Sequence, residues 1–494
     1  MARRRRAYSD AMLRWITLGV VGVVACGPGA PPENETDAGS SSSGNGSMTG
    51  LPMTSGGPTS PQPSTDPTIT TTVPPTTGAV TTEVEPPTST TGPETTTATS
   101  SPTTPTSATS TTGGECTSEL CPGEHVCAAG ECVPIEGIPP CPVVSVVDSH
   151  FPLVHEPTSL VLADLDGDLD LDVATGAPTI SVIEVQTNIG NVDFVPGEVI
   201  KLVAATGFIH LAAEDLDNDG DVDLAVAQEV ASDVNVLLNH NGLWSLDSML
   251  DGETGLRRVY LADADGDGQG LFDLITLGQS NPTVGVWLSV GAGGFKPEPP
   301  FDAPLSFGVS VVDVSGDFRH DLVGPDGTDS FTSVRVLVRA EGGGFLDGPS
   351  LGATGEQLVQ VLAGDFANDG GFGQDVIALT KDGVGGLVVV WNTKGHMEWS
   401  PVPRVTRMGF VPTGGLLADF DSDGNLDLVT ATESPAISLL LGDGAGGFAC
   451  ERVFELDAPT TRELLAVGDV DLDGLRELVT ASVAALELIV IKTL

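Results

Sequence analysis

One nine-residue pattern recurs seven times between Asp164 and Glu477, with starts 48 to 54 residues apart. Its best-kept copy is Asp419-Phe-Asp-Ser-Asp-Gly-Asn-Leu-Asp427. Acidic side chains stand at positions 1, 3, 5 and 9, Gly424 stands at position 6, and Asn425 at position 7 offers its backbone carbonyl. An all-oxygen set of this kind suits a hard cation such as Ca²⁺. Four carboxylates forced close together repel one another unless a cation neutralises them. The flanking runs, Gly-Leu-Leu-Ala before and Leu-Val-Thr-Ala-Thr after, are short and apolar. They read as strands, so the loop joins two strands and is not a helical EF-hand. A period near 50 residues indicates a blade array, being too long for most solenoid repeats.

The copies differ in how much of the pattern they keep. The first supplies Asp164, Asp166, Asp168 and Asp172, and the second Asp215, Asp217, Asp219 and Asp223. The third supplies Asp263, Asp265, Asp267 and, after a two-residue insertion, Asp273. The fourth keeps Asp313, Asp317 and Asp321 but has Ser315 at position 3. The fifth has Asp365, Asp369 and Asp375 with Ala367 where an acid belongs, and is expected to be weak or empty. The sixth supplies Asp419, Asp421, Asp423 and Asp427, and the seventh Asp469, Asp471, Asp473 and Glu477. Solvated acidic turns are the plainer alternative, but they would not require the same spacing in copy after copy.

Each unit has one internal grammar. An apolar strand enters the loop, a second leaves it, and a third follows a polar turn. A Gly-rich turn then leads to an aromatic: Phe194, Trp244, Phe295, Phe345, Trp399 or Phe448. Each aromatic precedes the next acidic loop by 18 to 21 residues and is expected to begin a fourth strand. Four strands per unit at this period is the pattern of a β-propeller blade. There are seven loops but six such aromatics, so the last blade lacks its fourth strand. The unclaimed run Val143–Val147 is expected to complete it and close the ring, leaving no exposed edge. The expected fold is all-β: a seven-bladed β-propeller of four-stranded blades over residues 141–494, closed by an N-terminal strand.

The segments before it are of another kind. Residues 1–25 read as a signal peptide, with Arg3 to Arg6 followed by an apolar run from Leu13 to Ala25 that is too short for a stable span. Val23-Val24-Ala25-Cys26-Gly27 resembles a bacterial lipoprotein signal, with cleavage before Cys26 and lipid on its thiol. An ordinary signal peptide is the alternative. Gly27 after that Cys resembles lipoproteins sent to the outer membrane. Residues 26–115 are dominated by Thr, Ser, Pro and Gly and hold almost nothing to fill a core, so a disordered tether is expected. Residues 116–135 carry Cys116, Cys121, Cys127 and Cys132. In an exported chain these are expected to form two disulfides, in any of three pairings. A zinc knuckle fits their spacing poorly. Cys141 and Cys450 either pair with each other or remain two isolated buried thiols.

At this point a family resemblance can be read. Asp-x-Asp-Gly-Asp-x-x-x-Asp-Leu between two strands, followed by Gly-Gly-Phe, resembles the FG-GAP or VCBS repeats of the integrin alpha-chain propeller and of many bacterial surface proteins. It covers roughly residues 141–494. The resemblance implies structural Ca²⁺ in loops on one face and partner contacts from the other.

The chain has 68 acidic and 20 basic residues, a formal charge of -48, which makes nucleic acid and anionic membrane surfaces poor partners. Membrane contact is expected only through the lipid. The seven His residues are scattered, and there is no Gly-x-Ser-x-Gly, zinc-protease helix or phosphate loop. His320 beside Asp321 reads as part of a degenerate loop. The expected function is therefore not enzymatic: a lipid-anchored, calcium-binding scaffold at the cell envelope that contacts a surface protein. The alternative is a calcium-stabilised lectin that binds a glycan, with a hydrolase or lyase ranked below it. Trp244, Trp287, Trp391 and Trp399 fall on repeat positions expected to pack between blades.

Overall fold

Every acidic loop joins two antiparallel strands whose apolar side chains are buried on both faces, because each sheet has a neighbour on either side. A computed structural model describes residues 121–493, apart from 122–123, 129, 204–206, 269, 279–282, 306–307, 329–330, 353–356, 369–372 and 382–384. The expected signal peptide, Cys26, the linker, Cys116 and Asp369 lie outside the described residues.

The fold is a seven-bladed β-propeller. Blade one comprises Ser159–Ala163, Asp172–Ala177, Val182–Asn188 and Phe194–Lys201, paired in that order. Blade two is built from Ile209–Glu214, Asp223–Gln228, Asp233–His240 and Leu243–Asp251. Blades three, four, five and six begin with Leu256–Ala262, Ser310–Val312, Gln357–Gly364 and Pro412–Ala418. Blade seven has Leu465–Gly468, Glu477–Ser482 and Glu487–Thr493. The first strands of successive blades touch one another around the axis. All seven acidic loops join a first to a second strand, so they share one face.

The core is divided into seven apolar layers, one per interface between blades. Val161, Ile183, Ile209 and Leu224 fill the layer between blades one and two. Leu162, Val173, Ala466 and Val490 fill the layer between blades one and seven, which makes the ring complete. Burying one such Val, Leu or Ile is worth about 1.5–3 kcal/mol, so each layer is a substantial fastening. Trp391 is buried, and Trp244, Trp287 and Trp399 are partly buried against these layers, as their repeat positions suggest.

Two strand assignments change. The closing strand is Val146–Pro152, antiparallel to Glu487–Thr493, and not Val143–Val147. Val143 is fully exposed. The register is set further along, where Phe151 packs edge-on against Phe194 at 5.2 Å and the Leu153 N–H donates to Leu486 O. In blade five, Trp399 does not begin the outermost strand. It ends a small hairpin, Thr393–Gly395 with Glu398–Trp399, and the outermost strand is Arg404–Met408. Pro401 and Pro403 intervene, and proline has no N–H for a ladder.

The cysteines tie the entering chain to the ring. Cys121 is bonded to Cys132, Cys141 to Cys450, and Cys127 is also in a disulfide. The hairpin His125–Ala128 with Glu131–Gly137 adds to blade five, its second strand running parallel to Arg404–Met408. The chain then bridges Pro140 to Glu451 on blade six before supplying the last strand of blade seven. One N-terminal segment thus straps the outer edges of three consecutive blades.

Candidate functional site

The acidic side chains are placed by a hydrogen-bond plan that repeats. At position 1, Asp164 accepts the N–H groups of Gly167 (2.8 Å), Asp168 (3.1 Å) and Leu169 (3.1 Å). Asp215 does the same for Asn218, Asp219 and Gly220. At position 9 the carboxylate is buried and clasps two strands. Asp172 accepts from Leu165 N–H (2.9 Å) and from Asn188 N–H on the third strand (2.8 Å). Asp223, Asp273, Asp321, Asp375 and Asp427 repeat this double acceptance. Glu477 accepts only from Val470 N–H at 2.8 Å, and its other oxygen is buried with no hydrogen-bond partner.

These geometries bring carboxylates together. Ligand oxygens of Asp164, Asp166 and Asp172 lie within 4.8 Å of one another. So do those of Asp215, Asp217 and Asp223, those of Asp263, Asp265 and Asp267, and those of Asp419, Asp421 and Asp427. In loops one, two and six, positions 1, 3 and 9 converge. Burial pushes Asp172, Asp223 and Asp427 up to about 7 against the opposing pull of their backbone donors, with neighbouring carboxylates adding to the rise. Asp166, Asp217 and Asp421 are raised by burial first and by an adjacent Asp second. One oxygen of Asp419 is buried without a hydrogen-bond partner. Converging hard oxygens, destabilised as anions and not all satisfied by the protein, fit a hard divalent cation.

Two loops hold a cationic side chain of their own and a third a histidine, which the repeat pattern did not reveal. Lys492, on the third strand of blade seven, places its ammonium on Asp471 and, at 2.6 Å, on Asp473. Arg319 pairs with Asp317 in the fourth loop. His240 Nδ1 lies 2.7 Å from Asp219 in the second. Lys492 lies fifteen residues past Glu477, beyond the nine-residue repeat. In the fifth blade Asp375 accepts the Ala367 N–H, so its position-9 clasp forms without a position-3 acid.

The loops also fasten to one another round the ring. Asn188 and Asn239, at the ends of third strands, donate to Val470 O and Leu165 O in the preceding blade's loop, and Arg339 donates to Ala264 O. Asn368 reaches Gly424 O and Ser422 reaches Gly474 O at 3.2 Å each. These bonds join neighbouring blades on the acidic face at five junctions among the described residues.

Its tips are apolar in places. Leu169 is 54% exposed, Phe318 48%, Leu472 59% and Leu475 41%. Leu169 and Phe318 occupy position 6 with φ of 79° and 72°, where loops two, six and seven have glycine. A side chain in that left-handed region costs about 1–2 kcal/mol.

Comparison with known proteins agrees with this architecture. Residues 419–480 match the family model described as FG-GAP-like repeat, a span running from the sixth acidic loop into the second strand of blade seven. The chain is thus a seven-bladed propeller that carries an FG-GAP-like repeat. No curated protein sequence matches it. A solved BBS1N–ARL6DN complex superposes with a TM-score of 0.50 at 12% identity, covering 71% of this chain and 98% of that one. An Agrocybe aegerita lectin specific for non-reducing terminal N-acetylglucosamine gives 0.43 at 18% identity, over 62% of this chain and 81% of that one. Virginiamycin B lyase from Staphylococcus aureus gives 0.45 at 11% identity, over 71% and 100%. At these identities the likeness concerns the fold alone.

Proposed function

We propose that this chain is a calcium-binding, lipid-anchored scaffold at the cell surface that captures a surface protein, and that it is not an enzyme. The observation that carries the reading is the acidic face itself: converging carboxylates in loops one, two, three and six, with apolar tips at Leu169, Phe318, Leu472 and Leu475 standing among them. Ca²⁺ in those four loops would neutralise the face and stiffen the loops. Loops four and seven are already partly neutralised by Arg319 and Lys492, so there the metal competes with an internal cation. Apolar side chains held out from a polar face, three of them (Leu169, Phe318 and Leu472) in left-handed backbone, suit contact with another protein. The lipid anchor rests on Cys26 and its preceding small residue.

Chelation is expected to lower the melting temperature of the full chain by several degrees, with recovery on adding Ca²⁺ and not Na⁺. An unchanged melting temperature refutes the metal reading. Palmitate labelling should be lost in Cys26→Ser. Capture of surface proteins should need Ca²⁺ and should weaken in a Leu169→Asn, Leu472→Asn double variant.

A second reading has its own observation. An open cleft of about 400 Å³ between blades four and five is lined by Trp399, Met397, Lys394, Glu398 and Ser350. The Trp399 indole N–H is already given to Gln374 O, which leaves the ring to serve as a stacking surface for a sugar. Glycan capture that survives the leucine substitutions but fails in Trp399→Ala would favour the lectin.

A further inference from the structure

The acidic loop of blade two has an imidazole among its carboxylates. His240 ends the third strand, Asp233–His240, directly after Asn239, whose N–H Asp223 accepts. In blades one, three, four, five and six the residue after the corresponding donor is Ile189, Val290, Ala340, Lys394 or Asp443. The repeat therefore does not call for a histidine at this station. His240 Nδ1 lies 2.7 Å from Asp219 Oδ2. Ligand atoms of Asp217, Asp219 and His240 all fall within 4.8 Å of one another. A His–Asp hydrogen bond needs two groups, and here a third converges on the same point.

Backbone donors hold the three groups in place. Asp217 Oδ1 accepts the Asp219 N–H at 3.0 Å, and Asp219 Oδ1 accepts the Asp221 N–H at 3.0 Å. Each carboxylate thus gives one oxygen to the chain, and Asp219 turns its other oxygen to His240. Asp221 Oδ2 accepts the Asn241 N–H at 2.8 Å, which fastens the turn after His240 to the loop. His240 is also paired with Leu243 at the end of the ladder. Outer hydrogen bonds of this kind orient metal ligands and set much of a site's affinity. The His240 side chain is 54% exposed and that of Asp219 33%, so an ion reaches them from solvent without any opening of the fold.

Loop two therefore offers two ligand sets that meet at Asp217. The inner set, Asp215, Asp217 and Asp223, is all oxygen and suits a hard ion. The rim set, Asp217, Asp219 and His240, is one nitrogen and two oxygens. Imidazole nitrogen with carboxylate oxygen suits Zn²⁺ and its first-row neighbours, and three protein ligands leave a fourth position for water. Atoms bound at about 2.0–2.1 Å around a tetrahedral ion stand about 3.3 Å apart. The His240–Asp219 contact would open by roughly half an ångström as the shared proton leaves to solvent and the ion takes its place. Arg319 and Lys492, the cationic side chains at loops four and seven, hold no such lone pair at neutral pH.

We propose that Asp217, Asp219 and His240 form a second metal site at the rim of loop two, for a Zn²⁺-like divalent ion. The site neither needs nor excludes Ca²⁺ on the inner set, because its distinguishing ligand is a nitrogen that Ca²⁺ does not seek.

Isothermal titration of the full chain with ZnCl₂, in Ca²⁺-free buffer and again in about 1 mM Ca²⁺, tests it. Saturable Zn²⁺ binding is expected in both arms. Affinity at the tightest site should fall at least tenfold in His240→Asn and in Asp219→Asn. His240 is exposed at a strand end, so His240→Asn should keep the wild-type melting temperature and Ca²⁺ binding. His150→Gln is the control, since His150 lies 3.1 Å from Asp148 and 3.0 Å from Glu487 on the outer strand of blade seven. That variant should keep the tight site. No saturable Zn²⁺ binding to wild type, or wild-type affinity in His240→Asn, overturns the proposal. Binding kept in His240→Asn but lost in Asp215→Asn would put the ion on the inner set and overturn it equally. Failure of Ca²⁺ to bind the same preparation would refute the calcium reading and leave this one standing.

Discussion

Replacing Cys141 and Cys450 by serine should destabilise the propeller more than any other covalent change to the ring. The two residues are 309 positions apart, so the bridge closes most of the propeller into one loop. The chain-entropy treatment of a loop that long gives about 5–6 kcal/mol at 25 °C from restriction of the unfolded chain. Native-state relaxation and residual structure reduce such figures, so a loss of about 3–5 kcal/mol is expected. The bridge also pins the N-terminal strap to blade six, where Cys141 N–H donates to Glu451 O at 2.8 Å. Its loss therefore loosens the approach to the closing strand as well. Urea unfolding of the double variant, followed by tryptophan fluorescence in Ca²⁺, is the assay. With an m of about 3 kcal/mol/M or more for a domain of this size, the midpoint should fall by about 1 M. A fall worth less than about 1 kcal/mol would refute the argument. It would mean that pairing of Val146–Pro152 with Glu487–Thr493 already closes the ring in the denatured ensemble.

Other outcomes follow from single groups. Asp427→Ala strands the N–H groups of Phe420 and Gly442 and should cost about 2–4 kcal/mol even in chelator, whereas Asp423→Ala, on the exposed rim, should cost under about 1 kcal/mol there; urea melts of both variants distinguish a clasp from a mere ligand. His210 is neutral in the fold and takes up a proton when unfolded, so its contribution is intact above about pH 6.5 and declines as pH falls towards 3, by up to about 1.4 kcal/mol per unit. His210→Asn should flatten that slope relative to wild type in a pH series of thermal melts, and an unchanged slope would remove the assignment. Leu169→Gly should raise stability by about 1 kcal/mol by relieving the left-handed backbone, while weakening protein capture, as measured by melting and pull-down on one preparation.

Much of this architecture is legible in the chain because the repeat is local. Asp164 to Asp172 or Asp419 to Asp427 carry loop, ligand spacing and flanking strands within a dozen residues, and the period between copies defines a blade. The count of loops against aromatics pointed to closure by an N-terminal strand for the same reason. Local pattern could not place that strand's register, since Val143–Val147 and Val146–Pro152 are equally strand-like until Phe151 meets Phe194. Nor could it foresee that Pro401 and Pro403 would turn Trp399 into part of a hairpin.

The tertiary structure decided whatever depends on residues far apart in sequence. Cys141 and Cys450 meet because the strap crosses blade six on its way to blade seven. Lys492 reaches Asp471 because the third strand of a blade returns beside its own loop. Arg258 and Glu463 meet because the ring brings first strands of non-adjacent blades to a common axis. Spacing determines repeating units, whose parts are neighbours along the chain. Only ring closure determines which charges face one another across the centre.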